Sequence, residues 1–238
     1  MCYYNGIRVS KEEFLRLKNE EKLLKKIHIP VQSGFQYTRW PIIKPIANSW
    51  DFELAHWELI APWVKTPEAQ ADSRKKFNTL NATSERLLES KMYKEAALMR
   101  RCLVLSSGFF EWMHVGKQTY PHYITTHQAG LEQVFFMAGI YNNNVDHTTG
   151  EIFSSFSIVT TAANSLMERI HNTKKRMPTI LSLELAEEWI SDIPESRVAE
   201  IAKYQIPTND MVAYPIAKNF QSSDDPFIRV DYPELALI

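Results

Sequence analysis

Apolar positions change their spacing several times along the chain, and each change predicts an element. Phe14, Leu15, Leu17, Leu23, Leu24 and Ile27 form a stripe at roughly helical spacing. Ser10-Lys11-Glu12-Glu13 ahead of it has the capping-box form, Lys22, Lys25 and Lys26 suit the negative end of a helix, and Pro30 stops it. Residues 35–63 are strand-like and aromatic, with Phe35, Tyr37, Trp40, Ile42, Ile43, Trp50, Phe52, Leu54, Trp57, Leu59 and Trp63. Pro41, Pro45 and Pro62 cut this run into pieces, which predicts edges and turns. Residues 64–100 are polar and predict helical segments near 67–71, 84–88 and 92–101. From Cys102 to Trp112, β-branched and aromatic residues predict two short strands around a Ser-Gly break. Strands follow at 120–126 and 134–141, then a polar turn over 142–150. Ile152, Phe153, Phe156 and Ile158 mark a strand over 152–160. A short helix over 165–170 ends at His171-Asn172, and a strand runs up to Leu181. Ser182 caps a helix to about 190, another covers 195–204, and 211–216 is the last strand.

Many short strands with helices between them, out of βαβ rhythm, predict an α+β fold: a mainly antiparallel, partly closed, barrel-like sheet with surrounding helices. Neither repeats nor a linker divide the chain, so residues 1–238 read as one domain. Twelve Phe, ten Tyr and six Trp supply a large aromatic core. The net charge of −1 excludes a generally basic nucleic-acid binder, so an anionic partner would have to meet a local patch. Cys2 and Cys102 make neither a disulfide framework nor a C-x-x-C metal site. No apolar run is long enough to span a bilayer. No charged n-region or apolar h-region stands ahead of Met1-Cys2, so the expectation is a chain without a secretory leader, in a reducing cytosol.

The candidate chemistry lies in scattered residues. Removal of Met1 would leave an amino-terminal cysteine, whose α-amine and thiol titrate in free peptides at about 7.7–8 and about 8.5. The amine can condense with an aldehyde to an imine, and the thiol can close the imine into a thiazolidine. A second-position Cys can equally be incidental. Glu111 sits between Phe110 and Trp112 with no cation nearby in sequence. Facing inward it would be a general acid or base with a raised pKa; facing outward it is a surface charge. His171, beside Lys174, Lys175 and Arg176, reads either as a proton carrier near an anion or as a structural histidine. Trp50, Trp57 and Trp63 are core or a stacking surface, and the basic run at Arg74-Lys75-Lys76 is a phosphate contact or a solvated loop.

Taken in order, several motifs resemble one family. They are Met1-Cys2, W-x-L-I…W at Trp57–Trp63, N-A-x-S-E at Asn81–Glu85, and R-C-L-V-x-x-S-G-F-F-E-W at Arg101–Trp112. T-x-A-N…I-H…R-M-P-x-I-L follows at Thr161–Leu181, with a weak Y-P-I-x-K at Tyr214–Lys218. The chain resembles the SOS-response-associated peptidase (SRAP) family of abasic-site-processing proteins. The resemblance implies a groove for single-stranded DNA and a covalent bond between the processed Cys2 and an abasic site. It implies self-removal of Met1 and lyase activity as a side reaction. Cys2 would be the nucleophile, Asn81 would orient the sugar or the Cys2 amine, Glu111 would assist proton transfers in releasing Met1 and in the imine chemistry, and His171 would be the acid that helps open the deoxyribose ring or stabilises its oxygen. Trp63, Arg74, Lys75, Thr83, Arg86, Lys174, Lys175 and Arg176 are the expected DNA contacts. No cofactor or metal is called for; the partner is single-stranded DNA with abasic sites, and neither a membrane nor a second subunit is expected. The expected location is the cytoplasm, at the nucleoid during DNA damage.

The chain also departs from the family pattern. Tyr3-Tyr4 stands where many members have Gly-Arg, Thr83 where many have Arg, and Asn172-Thr173-Lys174-Lys175 lengthens the path from His171 to Arg176. Three rival readings accompany the resemblance: an amino-terminal-nucleophile amidase or peptidase, a non-covalent single-stranded DNA-binding module, and a Cys102–His hydrolase.

Overall fold

The structure is a computed structural model that describes residues 2–7, 29–46, 49–127, 134–147 and 149–235. The helix expected from Ser10 to Ile27 lies outside these residues. Thirteen described strands form two sheets. Five strands make the closed unit: β3 (Arg39–Ile46), β4 (Ser49–Trp57), β6 (Arg101–Ser106), β9 (Phe135–Val145) and β10 (Ile152–Ala162). They pair in the order β10-β4-β3-β6-β9, and β9 pairs back with β10 along residues 139–145. The expected partly closed sheet is therefore a closed barrel, mixed because β10 runs parallel to β4. Closure satisfies every edge of the five strands. Short strands β5 (Asn81–Thr83), β11 (Arg176–Pro178) and β12 (Ile180–Leu181) attach to it.

The barrel core holds Trp40, Trp57, Phe156, Ile42 and Ile43, all fully buried. Buried indoles need hydrogen-bond partners. Trp40 donates to the Leu105 carbonyl at 2.8 Å, Trp57 to that of Leu80 at 3.1 Å, and Trp189 to those of Cys102 and Gly139. Pro41 and Pro45 do not break β3, contrary to expectation. They flank Ile42 and Ile43, the two residues of β3 that pair with β6, so their missing N–H groups fall outside that ladder.

The second sheet is open, with the order β13-β8-β7-β1-β2, all antiparallel. Its strands are β1 (Tyr4–Ile7), β2 (Ile29–Ser33), β7 (Gly108–Val115), β8 (Gln118–Thr126) and β13 (Met211–Pro215). Gly108 is required at the start of β7, where a Cβ would lie 2.2 Å from the Tyr123 ring.

The described α-helices are α1 (Pro67–Lys76), α2 (Lys94–Met99), α3 (Ser165–Ile170), α4 (Leu183–Trp189) and α5 (Glu195–Ala202). Thr66, Asn164 and Ser182 cap α1, α3 and α4 through their side chains. The helix expected at 84–88 is a run of turns, and that expected at 92–101 is only α2, because Arg101 already belongs to β6. The polar turn expected from 142 starts later, because β9 continues to Val145. The strand expected up to Leu181 splits at Thr179: β11 pairs with β10 and β12 with β9. No helix among the described residues is long and apolar enough to cross a membrane.

Candidate active site at the edge of the open sheet

The site grows from the register of β1 on β7. Tyr4, Asn5 and Gly6 pair with Phe110, Phe109 and Gly108. Pairing with β1 stops at Phe110, yet β7 continues to Val115, so beyond Phe110 this edge of β7 has no strand partner among the described residues. Ahead of Tyr4 the Tyr3 carbonyl accepts from the Gly34 N–H at 2.8 Å.

Cys2 is fully buried. Its carbonyl accepts a 3.0 Å hydrogen bond from Asn81 Nδ2, and its Sγ lies 3.9 Å from the Tyr4 carbonyl. Asn81 comes from β5, which lies parallel to β10 on the barrel, so this bond ties the two sheets together. Asn81 Oδ1 is buried and has no hydrogen-bond partner among the described residues. Burial, reinforced by the Glu111 charge, pushes the Cys2 thiol up, so the group is a thiol and needs a base to become a nucleophile.

Glu111 faces inward and is 4% exposed. Burial raises its carboxyl to about 7. His171 caps the end of α3; burial lowers its imidazole to about 4, and the nearby Lys174 charge acts in the same direction. Its Nδ1 is 2.8 Å from the Arg176 carbonyl and must be the protonated nitrogen, which leaves Nε2 as an acceptor 3.8 Å from Glu111 Oε2. Between about pH 4 and 7 both groups are neutral, so this contact is a carboxylic acid facing an imidazole and not an ion pair.

A cavity of about 250 Å³ opens here, lined by Tyr3, Glu111, Trp112, His114, Thr119, His171, Thr173 and Lys174. The Tyr3 hydroxyl accepts from Asn78 Nδ2 at 3.2 Å, and its ring lies 4.8 Å from that of Phe35. Burial, with the Glu111 charge, pushes the Tyr3 phenol up to about 12. Larger clefts of about 430 and 570 Å³ lie elsewhere. The smaller cavity joins a raised carboxyl to a neutral imidazole beside a buried thiol, and chemistry outweighs size in choosing it.

The expected DNA contacts fall into three settings. Trp63 is 59% exposed, unlike the fully buried Trp57. Lys174 is exposed at the cavity, and Arg86 is exposed beyond β5, where Thr83 is half-buried. Lys75 and Lys175 lie on the surface beside Asp72 and Glu168, at 2.8 and 3.9 Å. Arg74 and Arg176 are already engaged. Arg74 grips the buried Glu58 through Nε and a terminal nitrogen, the latter at 2.6 Å, and stacks 3.8 Å from the Tyr37 ring. Against the burial that would raise it, hydrogen bonds from His56, Arg74 and Gln70 hold the Glu58 carboxyl below its usual range. Arg176 bonds Glu85 at 2.7 Å and the Thr160 carbonyl at 2.6 Å.

Sequence reasoning named Tyr3 and Asn172 as departures from the family pattern and Trp112 as a motif residue, gave none of them a role at the site, and did not name Thr119. The Asn172 amide donates to the His114 carbonyl at 2.8 Å and accepts from the His114 N–H at 3.1 Å. This contact spans 58 residues, and no local pattern announces it.

A closed mixed barrel bearing an open sheet, with a thiol, a carboxamide, a carboxyl and an imidazole gathered at that sheet's edge, defines a protein equipped for thiol and acid–base chemistry. The chain belongs to the SOS response associated peptidase (SRAP) family, whose profile matches residues 15–223. It is similar to a protein from Bacteroides thetaiotaomicron of known crystal structure, at 32% identity over 97% of this chain and 100% of that one, with a TM-score of 0.84. A crystal structure from Bordetella bronchiseptica, at 18% identity, a TM-score of 0.74 and coverage of 91% and 100%, shares the fold. An abasic site processing protein of Bacillus subtilis is 30% identical over 68% of this chain and 67% of its own length. One of Saccharomyces cerevisiae is 33% identical over 54% of this chain, and the match spans only 31% of that longer protein.

Proposed function

We propose that this protein processes abasic sites in single-stranded DNA by forming a covalent thiazolidine through Cys2 after Met1 is removed. The observation that carries the reading is the meeting of Cys2, Asn81, Glu111 and His171 at one open strand edge. The names of the Bacillus subtilis and yeast relatives point the same way.

The chemistry follows from the groups present. An abasic deoxyribose in its open form is an aldehyde. The Cys2 amine adds to its C1′ to give a carbinolamine, which loses water to form an imine. The Cys2 thiol then adds to the imine carbon, its proton passes to the imine nitrogen, and a five-membered ring results. Each step moves a proton at a buried place. Glu111, titrating near pH 7, can give one to the departing hydroxyl and take one from the thiol. His171 Nε2, fixed as an acceptor, can take a proton from the sugar hydroxyl as the ring opens. Asn81 Oδ1 is an acceptor for an amine N–H. Removal of Met1 draws on the same carboxyl to activate water. The imine is also the intermediate from which β-elimination would cleave the strand, so lyase activity belongs to the same reading. Lys174 and Arg86 are the exposed expected cations with no ion pair among the described residues, and they are the first candidates for phosphate contact.

Intact-mass spectrometry tests this, before and after incubation with a single-stranded oligonucleotide carrying one abasic site. Loss of Met1 and a stable one-to-one adduct, absent from Cys2→Ala, is the expected result. An unmodified protein with a free Cys2 amine would overturn it. Repeated turnover of amide substrates by that protein would favour the amino-terminal-nucleophile amidase.

A further inference from the structure

Glu111 has a neighbour across the sheet that the proposed chemistry does not use. His122 of β8 pairs with Glu111 of β7 on one side and with Pro215 of β13 on the other. Opposite residues of an antiparallel pair share a face, as do residues two apart on one strand, so Met113 and Ala213 point the same way. The cavity beside Glu111 takes part of its wall from His171, at the end of α3. A second cavity, of about 570 Å³, has Met113, His122, Ala213 and Pro215 as its floor and takes a wall from α3 itself, at Leu166, Arg169 and Ile170.

The chain after β13 supplies the other wall and is tied to the sheet. Ile216 bridges Arg229, the Val230 N–H donates to the Pro215 carbonyl at 3.0 Å, and the Tyr232 hydroxyl donates to the Ile216 carbonyl at 2.8 Å. The Tyr232 ring also meets that of Tyr120 at 4.9 Å.

The polar groups of this cavity are few. His122 is 6% exposed. Its Nδ1 lies 2.9 Å from the Tyr120 carbonyl and must carry the proton, which makes Nε2 an acceptor. Burial lowers the imidazole below its usual range, so the ring is neutral at pH 7. Nε2 has no hydrogen-bond partner among the described residues. A buried acceptor without a partner costs free energy that the N–H of a ligand would recover. Arg169 is exposed and has no ion pair among the described residues, and Arg229 meets Asp231 at 3.5 Å. Two arginines against one aspartate leave these walls net positive. The rest of the lining is apolar apart from the Tyr232 hydroxyl, which is already bonded.

We propose that this cavity is a binding site for a nucleotide. The apolar lining suits a flat base, a base N–H suits His122 Nε2, and the phosphate suits Arg169, with Arg229 beside it. A purely apolar ligand would leave the arginines and the acceptor unused, and a simple anion would leave the apolar floor in water. A free mononucleotide and one nucleotide of a single strand offer the same chemistry. Cys2 takes no part, so the site stands or falls without the covalent reading.

The test is calorimetric titration of the whole protein with deoxyadenosine monophosphate and with deoxyadenosine. The monophosphate should bind with a Kd of about 1 mM or tighter. Deoxyadenosine should bind about tenfold more weakly, the loss of one charge-assisted contact. Arg169→Ala should weaken the monophosphate by a similar factor and leave deoxyadenosine unchanged, so that the two ligands converge. His122→Asn keeps a donor for the Tyr120 carbonyl and removes the ring acceptor; it should weaken both ligands by about fivefold. Arg169 is on the surface, so its variant decides the matter even if His122→Asn does not fold.

No binding of the monophosphate at about ten times that concentration would overturn the site. A preference for the monophosphate that survives in Arg169→Ala would do the same. Competition with a deoxyadenosine oligonucleotide identifies the source. Displacement of the monophosphate, less effective in Arg169→Ala, assigns the cavity to a nucleotide of the strand, and simultaneous binding assigns it to a free nucleotide. Failure of the protein to form an adduct with abasic DNA would remove the covalent reading and leave these affinities as they are.

Discussion

The two cysteines sit in the two halves of the molecule, and they look alike until their neighbours are compared. Both are fully buried, and burial pushes both thiols up. Cys102 lies on β6 in the wall of the closed barrel, against Gly139, where a Cβ would come within 2.8 Å of its sulfur. Around it every strand edge is paired, so no reactant can reach it without opening the barrel. Cys2 lies just ahead of β1 at the edge of the open sheet, tied to Asn81 and near a carboxyl that can hold or release a proton near neutral pH. Burial alone makes a thiol inert. What separates the two is an unfinished strand edge and the polar groups that meet there.

The sharpest break between them is by substitution. Cys2→Ala should abolish the DNA adduct in intact-mass measurements. Cys102→Ala should leave adduct yield unchanged and cost about 1 kcal/mol in chemical denaturation, the removal of one small buried group. Equal loss of adduct in both would mean that the barrel thiol is the reactive one.

Next in size is Glu111→Gln, expected to slow adduct formation by about 10²–10⁴-fold, the range for a lost acid–base group. It should also raise the melting temperature at pH 8. The Glu111 carboxyl titrates near 4.5 unfolded and at about 7 folded. The folded chain holds the proton more tightly, so this group's stability is complete below about pH 4.5 and is lost as pH rises through about 7, by on the order of 3 kcal/mol. Gln cannot ionise, so its advantage over Glu should be seen at pH 8 and fade towards pH 4.5. His171 runs the other way: its stability is present above about 6.5 and lost as pH falls through about 4. His171→Gln should therefore flatten the acid side of the same curve. A Glu111→Gln curve parallel to the parent at all pH values would place the carboxyl in water.

A smaller effect separates the sheets by packing. In Gly108→Ala the new methyl meets the Tyr123 ring, which is pinned by its hydroxyl's 2.8 Å bond to the Ser107 carbonyl. The expected cost is about 1–3 kcal/mol or more, and the start of β7 should shift, so adduct formation should slow as well. Gly139→Ala in the barrel should cost a similar amount in denaturation and leave the adduct rate of the folded fraction unchanged.

The smallest effect is electrostatic. Lys174→Ala should lower the magnitude of the salt slope of single-stranded DNA binding by about 0.7, the loss of one phosphate contact. Lys75→Ala should not, since that ammonium faces Asp72. Arg74→Ala belongs to a different class: it leaves the buried Glu58 without its bidentate partner and should destabilise the fold before it affects DNA binding.

The comparison also separates what local pattern could carry from what it could not. The helix over 165–170 was legible, and in the structure the Asn164 side chain caps it; β10 was legible from the alternation of its apolar residues. The turns at 84–90 were not, because the charged and apolar residues there suit a helix as well, while the chain leaving β5 is still held to β10 at Ser84, whose N–H donates to the Thr160 carbonyl at 2.8 Å. Glu111 was undecided between core and solvent, since one residue of register turns a strand side chain from one face to the other. Arg74 and Lys75 read as one basic patch, although the fold turns the first inward to Glu58 and leaves the second at the surface.

The sequence by itself determined the kinds of groups available: an early cysteine, an acid set among aromatics, a histidine at a helix end, and enough apolar strand to build one α+β core. These follow from composition and from spacings of two and 3.6 residues, which are local properties of the chain. Tertiary structure alone decided that the barrel closes, that β1 stops pairing at Phe110, and that the Asn172 side chain bonds the His114 backbone. Each depends on which strand edges meet across scores of residues. Edge pairing is made by backbone groups that every residue carries alike, so side-chain order does not record it.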